Sequence, residues 1–157
     1  MNYRSDRSRS KTMIQSILVV CVGNICRSPM AAGLVKARMP SVVVASAGLS
    51  ALIGQPASAA AQKLLSKHGI DISAHRAQQL NEMLCEQTQL ILAMDREQKT
   101  IVERRHPYTR GKVFRLGDFD DVDIFDPYQQ SYERFEQCFT LIEQGVDQWL
   151  KRIDELT

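Results

Sequence analysis

The sequence predicts an α/β domain, a three-layer sandwich in which a central four-stranded parallel sheet carries helices on both faces. Short apolar runs rich in β-branched residues recur along the chain, and such runs are typical of strands buried on both faces. Between these runs lie stretches with apolar residues at helical spacing. A chain of 157 residues, 44% of them hydrophobic, is long enough to bury a core of this kind.

Each predicted strand is a short apolar run bounded by polar residues or by glycine. The predicted strands occupy, in chain order, residues 16–21, 42–45, 90–94 and 112–116. Because helices separate them, the strands should be parallel and joined by crossover connections. In open sheets of this kind, ligands bind beyond the carboxyl ends of the strands, so the loop after the first strand is the first candidate for a functional site.

The predicted helices are bounded by caps and stop signals. They occupy, in chain order, residues 28–39, 58–68, about 78–85, 95–105 and 131–153. Ser28 provides a cap hydroxyl with Pro29 in the first turn, Gly69 ends the second helix, and Asp95 caps the fourth. The last helix carries an apolar face at three- and four-residue spacing, which indicates packing against a sheet. That face comprises Phe135, Cys138, Phe139, Ile142, Val146, Trp149 and Ile153.

The charge distribution divides the chain into two parts. Residues 1–14 hold four basic residues, one acidic residue and no apolar periodicity, so we expect a disordered basic leader there. Residues 15–157 are expected to form the single domain. With a net charge of +2 for the whole chain, this domain has no basic excess, which argues against nucleic-acid binding.

Several other classes of protein do not fit the composition. No apolar segment has the length of a membrane span, and the run before Cys21 lacks the cleavage pattern of a signal peptide. Four cysteines are too few for a disulfide scaffold at this length. The three histidines have no i, i+4 partner and no neighbouring carboxylate pair, so we predict no metal and no cofactor. We expect a cytoplasmic protein that does not insert into membranes.

The loop after the first strand carries residue types suited to phosphate chemistry. It reads Cys21-Val22-Gly23-Asn24-Ile25-Cys26-Arg27-Ser28. Its backbone N–H groups and the following helix N-terminus can form an anion nest, which favours a thiolate at its centre. Gly23 relieves steric limits, and Asn24 tolerates the left-handed conformation that a tight nest needs. The alternative is that Cys21 and Cys26 are ordinary buried thiols.

Arg27 and Ser28 complete this hypothesis. Arg27 offers a planar fork for two phosphate oxygens, and Ser28 can donate a hydrogen bond to the Cys21 sulfur. On the alternative interpretation, Arg27 is a surface residue of the helix. The position of the loop at a strand-to-helix junction favours the phosphate site.

Asp126 is the predicted general acid. It follows the fourth strand, at the sheet edge where the Cys21 loop also lies, and Pro127 holds it in an extended conformation. A carboxylic acid at this edge can protonate a leaving group. The neighbouring acidic residues are interpreted as a solvated loop. They are Asp118, Asp120, Asp121 and Asp123.

These motifs resemble those of the low-molecular-weight protein-tyrosine phosphatases. The run from Val20 to Pro29 is similar to the family signature, Asp126-Pro127-Tyr128 is similar to its acid loop, and the resemblance extends from about Ile17 to the last helix. The expected sheet order is 2-1-3-4. The resemblance implies that the Cys21 thiolate attacks phosphorus, that Asp126 protonates the leaving oxygen, and that water then hydrolyses a cysteinyl-phosphate.

The resemblance also implies binding and supporting residues. The phosphate-binding loop comprises Val22, Gly23, Asn24, Ile25, Cys26 and Ser28, beside the catalytic Cys21 and Arg27. Leu52 and Tyr128 are expected to form the walls of a slot for an aryl ring. Ser46 and His75 should join Asn24 and Ser28 in one hydrogen-bond network, and Asp95 matches an acidic residue near the pocket. The residues alone also allow His75 at a surface helix start and Asp95 as a plain helix cap.

Other activities of this fold differ at particular positions. Bacterial protein-arginine phosphatases resemble this loop but carry threonine in place of Ile25, so Ile25 favours phosphotyrosine. Animal tyrosine phosphatases have tryptophan at the position of Leu52, and this departure resembles the bacterial enzymes paired with polysaccharide-export tyrosine kinases. The implied partners are phosphotyrosine proteins, in particular an autophosphorylated tyrosine kinase or its targets. We expect a monomer or a weak dimer.

Two further alternatives lack the residues that they need. An arsenate reductase would need two more cysteines for a disulfide relay, and that region offers only Cys85, which lies in a helical apolar pattern typical of core. A phosphotyrosine-binding module would need neither the nucleophile nor the acid.

Cys26 suggests redox control of the nucleophile. Vicinal loop thiols in the family can close a reversible disulfide, so we predict a bond between Cys21 and Cys26 under peroxide. The alternative is that Cys26 is a small apolar filler.

Overall fold

The computed structural model describes residues 14–156, with side chains through Asp154. The predicted basic leader, residues 1–14, lies outside the described residues except for Ile14, which packs against the core. Within the described range, no helix combines the length and the apolar character needed to cross a membrane.

A central parallel sheet forms the middle layer, as the sequence predicts. Its strands are β1 (Ser16–Cys21), β2 (Val43–Gly48), β3 (Leu90–Ala93) and β4 (Val113–Arg115). The order is β2-β1-β3-β4, which confirms the expected order 2-1-3-4. Cys21, the last residue of β1, pairs with Gly48, the last residue of β2. Because all four strands are parallel, their carboxyl ends lie along one edge of the sheet.

Helices cover both faces of this sheet. They are α1 (Arg27–Arg38), α2 (Ala59–Lys67), α3 (Glu82–Gln87), α4 (Arg96–Arg105) and α5 (Tyr132–Leu156), with short 3-10 helices at Pro107–Thr109 and Asp118–Asp120. One core cluster joins β1 to α1, α2 and α5, and a second joins it to α3 and α4. The side chains of β1 alternate, with Ile17 and Val19 in the first cluster and Leu18 and Val20 in the second.

The long helix α5 buries the apolar face that its spacing predicts. Six of the seven predicted residues are buried. The seventh, Trp149, is half-buried, and its Nε1 donates to the Arg115 carbonyl at 3.1 Å. This helix therefore closes the sandwich over the end of β4.

The start of α1 differs from the prediction. The helix begins at Arg27, and its N-cap residue, Cys26, makes no side-chain capping bond. The predicted cap Ser28 lies inside the helix and directs its hydroxyl to the Cys21 sulfur. The cap prediction for Ser28 is wrong because Ser28 lies in the first turn of the helix and its hydroxyl bonds to the Cys21 sulfur and the Asn24 side chain.

The helix predicted over residues 78–85 is displaced along the chain. α3 begins at Glu82, after Asn81, whose side chain accepts a hydrogen bond from the Leu84 amide. The preceding residues extend the sheet edge instead: the Gly48 amide donates to the Gln78 carbonyl, and the Leu80 amide donates to the Gly48 carbonyl, both at 2.9 Å. Pairing with the end of β2 satisfies backbone groups that a helix would have to satisfy locally.

The acidic segment after β4 is more ordered than a solvated loop. Its side chains are exposed, but Asp118, Asp121 and Asp123 bind the guanidinium of Arg115 at 3.3, 2.6 and 2.8 Å. Arg115 is only 6% exposed, and a buried charge is costly unless it is paired. The bonds to Asp121 and Asp123 raise the pKa of Arg115 further above its usual value. The segment therefore folds around Arg115.

Candidate active site

The loop between β1 and α1 wraps around the sulfur of Cys21. Cys21 is buried, and the Asn24 amide donates to its Sγ at 3.3 Å. Asn24 has φ 60°, the left-handed conformation for which the sequence suited it. This reversal of the chain turns the loop back toward the thiol.

The side chain of Asn24 is completely buried and fully hydrogen-bonded. Its Nδ2 donates to Ser28 Oγ at 2.7 Å and to Ser46 Oγ at 2.9 Å. Its Oδ1 accepts from the Gln78 amide at 2.9 Å. A buried amide with all these partners keeps the loop in one conformation, because each lost bond would leave a polar group unsatisfied.

His75 supports the same loop from outside. Its Nε2 lies 2.7 Å from the Asn24 carbonyl oxygen. Burial lowers the pKa of His75 from 6.5, so the ring is neutral at pH 7 and Nε2–H is the donor in this bond. The structure thus brings Asn24, Ser28, Ser46 and His75 into one network.

Ser28 is placed to stabilise the thiolate form of Cys21. Because Asn24 Nδ2 can only donate, the Ser28 oxygen accepts that bond. The hydroxyl proton of Ser28 is then free to point at Cys21 Sγ, 2.9 Å away. A hydrogen bond to sulfur favours the thiolate, which is the nucleophilic form of cysteine.

Arg27 is the first residue of α1, and its guanidinium is buried. Nη1 donates to the Ile124 carbonyl at 2.8 Å, two residues before Asp126. Asp95 Oδ2 lies 3.8 Å from Nη1, and Asp126 Oδ2 lies 3.6 Å from Nη2. Asp95 also caps α4 by accepting a hydrogen bond from the Gln98 amide. Asp95 is therefore both a helix cap and an acidic residue near the pocket, the two alternatives that the sequence allowed.

A cavity of about 180 Å³ lies where these side chains meet. It is lined by Cys21, Val22, Gly23, Ile25, Cys26, Arg27, Ser50, Leu52, Asp126 and Tyr128. The carboxyl of Asp126 is 46% exposed, and its Oδ1 accepts from the Tyr128 amide at 3.0 Å. A thiol, a guanidinium and a carboxyl therefore face one small space, with Leu52 and Tyr128 at its walls. Such an arrangement can bind a phosphate ester and transfer its phosphoryl group to sulfur.

Comparison with known proteins gives the family. The model of the family described as "Low molecular weight phosphotyrosine protein phosphatase" matches residues 16–156. The chain belongs to this family. A protein of Ralstonia nicotianae, "Probable low molecular weight protein-tyrosine-phosphatase EpsP", is 51% identical over 144 residues, which are 92% of this chain and 99% of that protein.

Two solved structures are similar to this phosphatase in both fold and sequence. Vibrio vulnificus Wzb in complex with benzylphosphonate has a TM-score of 0.86 and 39% identity, covering 89% of this chain and 99% of the other. The YwlE arginine phosphatase from Geobacillus stearothermophilus has a TM-score of 0.85 and 34% identity, covering 90% and 94% of the two chains. A similar fold is therefore found in Wzb and in an enzyme named as an arginine phosphatase.

Sequence reasoning missed several groups around the phosphatase site. Gln78 binds the Asn24 side chain through its amide, and its Nε2 donates to the Ser46 carbonyl at 2.9 Å. Ser50 lines the cavity, and the Ile124 carbonyl holds Arg27. The Asn81 cap was the signal that could have placed the start of the predicted helix at Glu82 and left Gln78 outside it. Main-chain partners such as Ile124 carry no signal in a sequence.

The cysteines of the phosphatase differ in environment. Cys21, Cys26, Cys85 and Cys138 are all free and buried, and Cys85 lies in the second core cluster, as interpreted from the sequence. Burial raises the pKa of Cys26 to about 11, partly offset by a hydrogen bond with Ser58. Cys26 is therefore a neutral thiol at pH 7. The Cys21–Cys26 disulfide stays a prediction.

We expect peroxide to inactivate the phosphatase reversibly, with activity restored by dithiothreitol. Oxidation of Cys21 to a sulfenic acid, followed by attack of the Cys26 thiol with loss of water, would form the disulfide and prevent further oxidation. In Cys26→Ala this protection is lost, so recovery after reduction should be small. Recovered activity and intact mass measure the effect, with Cys85→Ala as the control. Equal recovery in Cys26→Ala and wild type would contradict the prediction.

Gly48 should be essential for the geometry of the site. A Cβ at this position would lie 2.6 Å from the Val22 carbonyl oxygen and 2.9 Å from Ala51 Cα, both of them backbone atoms. Gly48→Ala must therefore displace the Cys21 loop. We expect it to weaken inhibition by inorganic phosphate and to lower the free energy of unfolding by about 1–3 kcal/mol. Unchanged phosphate inhibition would show that the loop does not depend on this contact.

Proposed function

We propose that this protein-tyrosine phosphatase works in two steps, with Cys21 as nucleophile, Arg27 as phosphate ligand and Asp126 as proton donor and acceptor. The observation that carries the proposal is the single cavity lined by the Cys21 thiol, the Arg27 guanidinium and the Asp126 carboxyl. A protein that only bound phosphotyrosine would need the guanidinium but neither of the other two groups.

In the first step the Cys21 thiolate attacks phosphorus in line. The bond from phosphorus to the phenolic oxygen breaks, and that oxygen takes the proton of Asp126 as it leaves. Arg27 and the loop amides hold the remaining phosphate oxygens while charge shifts among them. A cysteinyl-phosphate and a free tyrosine hydroxyl result.

In the second step water displaces the sulfur. The Asp126 carboxylate takes a proton from the attacking water, and the phosphorus–sulfur bond breaks. The departing thiolate is stabilised by the Ser28 hydroxyl, which lies 2.9 Å from Cys21 Sγ. Inorganic phosphate is released, and each residue returns to its starting protonation state.

Phosphotyrosine suits the walls of the cavity. Tyr128 and Leu52 are 46% and 43% exposed, so both present apolar surface beside the nucleophile. An aryl ring stacked on Tyr128 gains about 1 kcal/mol beyond its area burial. Ile25 also lines the cavity and offers no hydrogen-bonding group to a guanidinium. These residues support phosphotyrosine over phosphoarginine, which the shared fold does not distinguish.

The cellular partner belongs to the same proposal. The resemblance to bacterial enzymes paired with polysaccharide-export tyrosine kinases, and Leu52 in place of tryptophan, support an autophosphorylated tyrosine kinase or its targets as substrate. A cytoplasmic location and a monomeric or weakly dimeric state are part of this proposal.

Substitution of the nucleophile and the acid tests the mechanism. Cys21→Ser should abolish hydrolysis of aryl phosphates, because no thiolate remains. Asp126→Asn should lower kcat/KM for a phosphotyrosine peptide by about 10²–10⁴-fold, since the leaving phenolate is no longer protonated. Asp120→Asn, which changes an exposed carboxyl on the same segment, is the matched control. Turnover by Cys21→Ser, or an equal loss in Asp120→Asn, would contradict the assignment.

Substrate class is tested with peptides of one sequence that carry phosphotyrosine, phosphoarginine or phosphoserine. We expect phosphotyrosine to give the highest kcat/KM, by at least about tenfold. Ile25→Thr should shift the ratio of the kcat/KM values toward the phosphoarginine peptide, because the new hydroxyl can hydrogen-bond to the guanidinium group of phosphoarginine. Val22→Thr introduces a threonine hydroxyl elsewhere on the cavity wall and serves as control. The proposed specificity is wrong if wild type prefers phosphoarginine.

A further inference from the structure

The acid loop, here the whole segment between β4 and α5 that carries Asp126, is held by different contacts from the loop that carries Cys21. Asp126 lies between β4 and α5, outside the sheet, and its side chain is nearly half exposed. Before it, Ile124 is anchored on both sides: its amide donates to the Met94 carbonyl at 2.9 Å, and its carbonyl accepts from Arg27. Beyond Ile124, Phe125 packs only partly against the core and Asp126 is exposed. The Tyr128 amide donates to Asp126 Oδ1 at 3.0 Å, and contacts outside the core must fix the backbone that carries this carboxyl.

Arg134, in the first turn of α5, stacks on Phe125, the residue before Asp126. Its guanidinium carbon lies 3.8 Å from the centroid of the Phe125 ring. The Phe125 carbonyl also accepts a hydrogen bond from the Cys138 thiol, at 3.5 Å. Phe125 is thus held through its ring and through its backbone, on the side of the loop that leads into Asp126.

Arg134 also reaches the residues after the acid. Its Nε donates to Gln130 Oε1 at 3.0 Å, and Gln130 Nε2 donates to the Asp126 carbonyl at 3.1 Å. A third bond, from Nη1 to Gln137 Oε1 at 2.6 Å, fixes the guanidinium plane. One planar group therefore connects Phe125, Gln130 and, through Gln130, the backbone of Asp126 itself.

The loop between these two contacts needs such support. Gln129 has φ 61°, a conformation that residues with side chains rarely adopt. Conformations of this kind persist only where neighbouring contacts hold them. Gln130 follows directly and is held by Arg134, so the contact lies next to the residue that requires it.

We propose that Arg134 is a positioning residue, which holds the Asp126 carboxyl over the leaving-group oxygen by clamping the acid loop on both sides. The inference rests on the proposed function, because it gives Arg134 a role only if Asp126 transfers the proton. Lysine cannot replace arginine here, since stacking on Phe125 and an in-plane bond to Gln130 need a planar guanidinium. The cradle of Cys21 and Arg27 does not depend on Arg134.

Two substrates with different leaving groups distinguish a positioning role of Arg134 from a general contribution of Arg134 to folding. Phenol has a pKa of about 10 and needs a proton to leave, whereas nitrophenol is a much stronger acid and leaves without one. A misplaced acid therefore slows phenyl phosphate more than 4-nitrophenyl phosphate. A damaged fold slows both equally and also weakens phosphate binding.

The experiment compares kcat/KM of wild type, Arg134→Ala and Arg134→Lys for these two esters. We expect Arg134→Ala to lose about tenfold on phenyl phosphate and less than about twofold on 4-nitrophenyl phosphate. Arg134→Lys should behave like Arg134→Ala, because it keeps the charge without the planar group. Inhibition by inorganic phosphate should stay at the wild-type level in both variants.

Arg152→Ala is the matched control. Arg152 lies on the same helix and stacks its guanidinium on Phe119, at 4.8 Å, away from the cavity. It should leave the ratio of the two esters unchanged. In an Asp126→Asn background, Arg134→Ala should cause no further loss on phenyl phosphate, because the group that it positions is already absent.

Several outcomes would overturn the inference. These are an equal loss on both esters, weaker phosphate inhibition in parallel, full activity of Arg134→Ala, or an additive loss in the Asp126→Asn background. Failure of the proposed function looks different: wild type would then hydrolyse neither ester, or Asp126→Asn would lose nothing.

Discussion

The buried guanidinium of Arg27 organises the active site. It is 3% exposed and connects the start of α1, the carbonyl of Ile124 and the cap of α4 at Asp95. Burying such a charge costs several kcal/mol unless it is paired. The carboxylates of Asp95 and Asp126 lie 3.8 and 3.6 Å away, beyond hydrogen-bond distance. Arg27 therefore retains donors and positive charge for an anion that approaches more closely, and a phosphate dianion matches this requirement.

The position of Cys21, the proposed nucleophile, depends on a second set of buried contacts. Asn24 ties the loop to β2 through Ser46 and to the sheet edge through Gln78, and it orients Ser28 toward the Cys21 sulfur. Each of these polar groups is satisfied, so the network favours one arrangement over any that breaks a bond. A change at a residue that never touches the phosphate can therefore alter the hydrogen bond to Cys21.

The fold and much of the site could be predicted because their signals are local in the sequence. The apolar runs of β1 and β3 and the long amphipathic helix α5 are patterns within single segments, and the Cys21 loop is a continuous stretch. What could not be predicted depends on distant contacts. Ser28 resembles a helix cap until the position of Cys21 is known. Likewise, Arg115 gathers acidic side chains that, in sequence, resemble a solvated loop.

The two halves of the site are held by different physical means. Cys21, the proposed nucleophile, lies at the end of a central strand and within a buried polar network, so its position follows from the core. Asp126, the proposed acid, lies on a loop whose outer part is held by side chains near the surface, among them Arg134 and Gln130. Contacts of this kind are weaker and open more easily than core contacts. The segment that carries Asp126 is therefore the less stable half of the site, and the phosphate cradle around Cys21 is the more stable half.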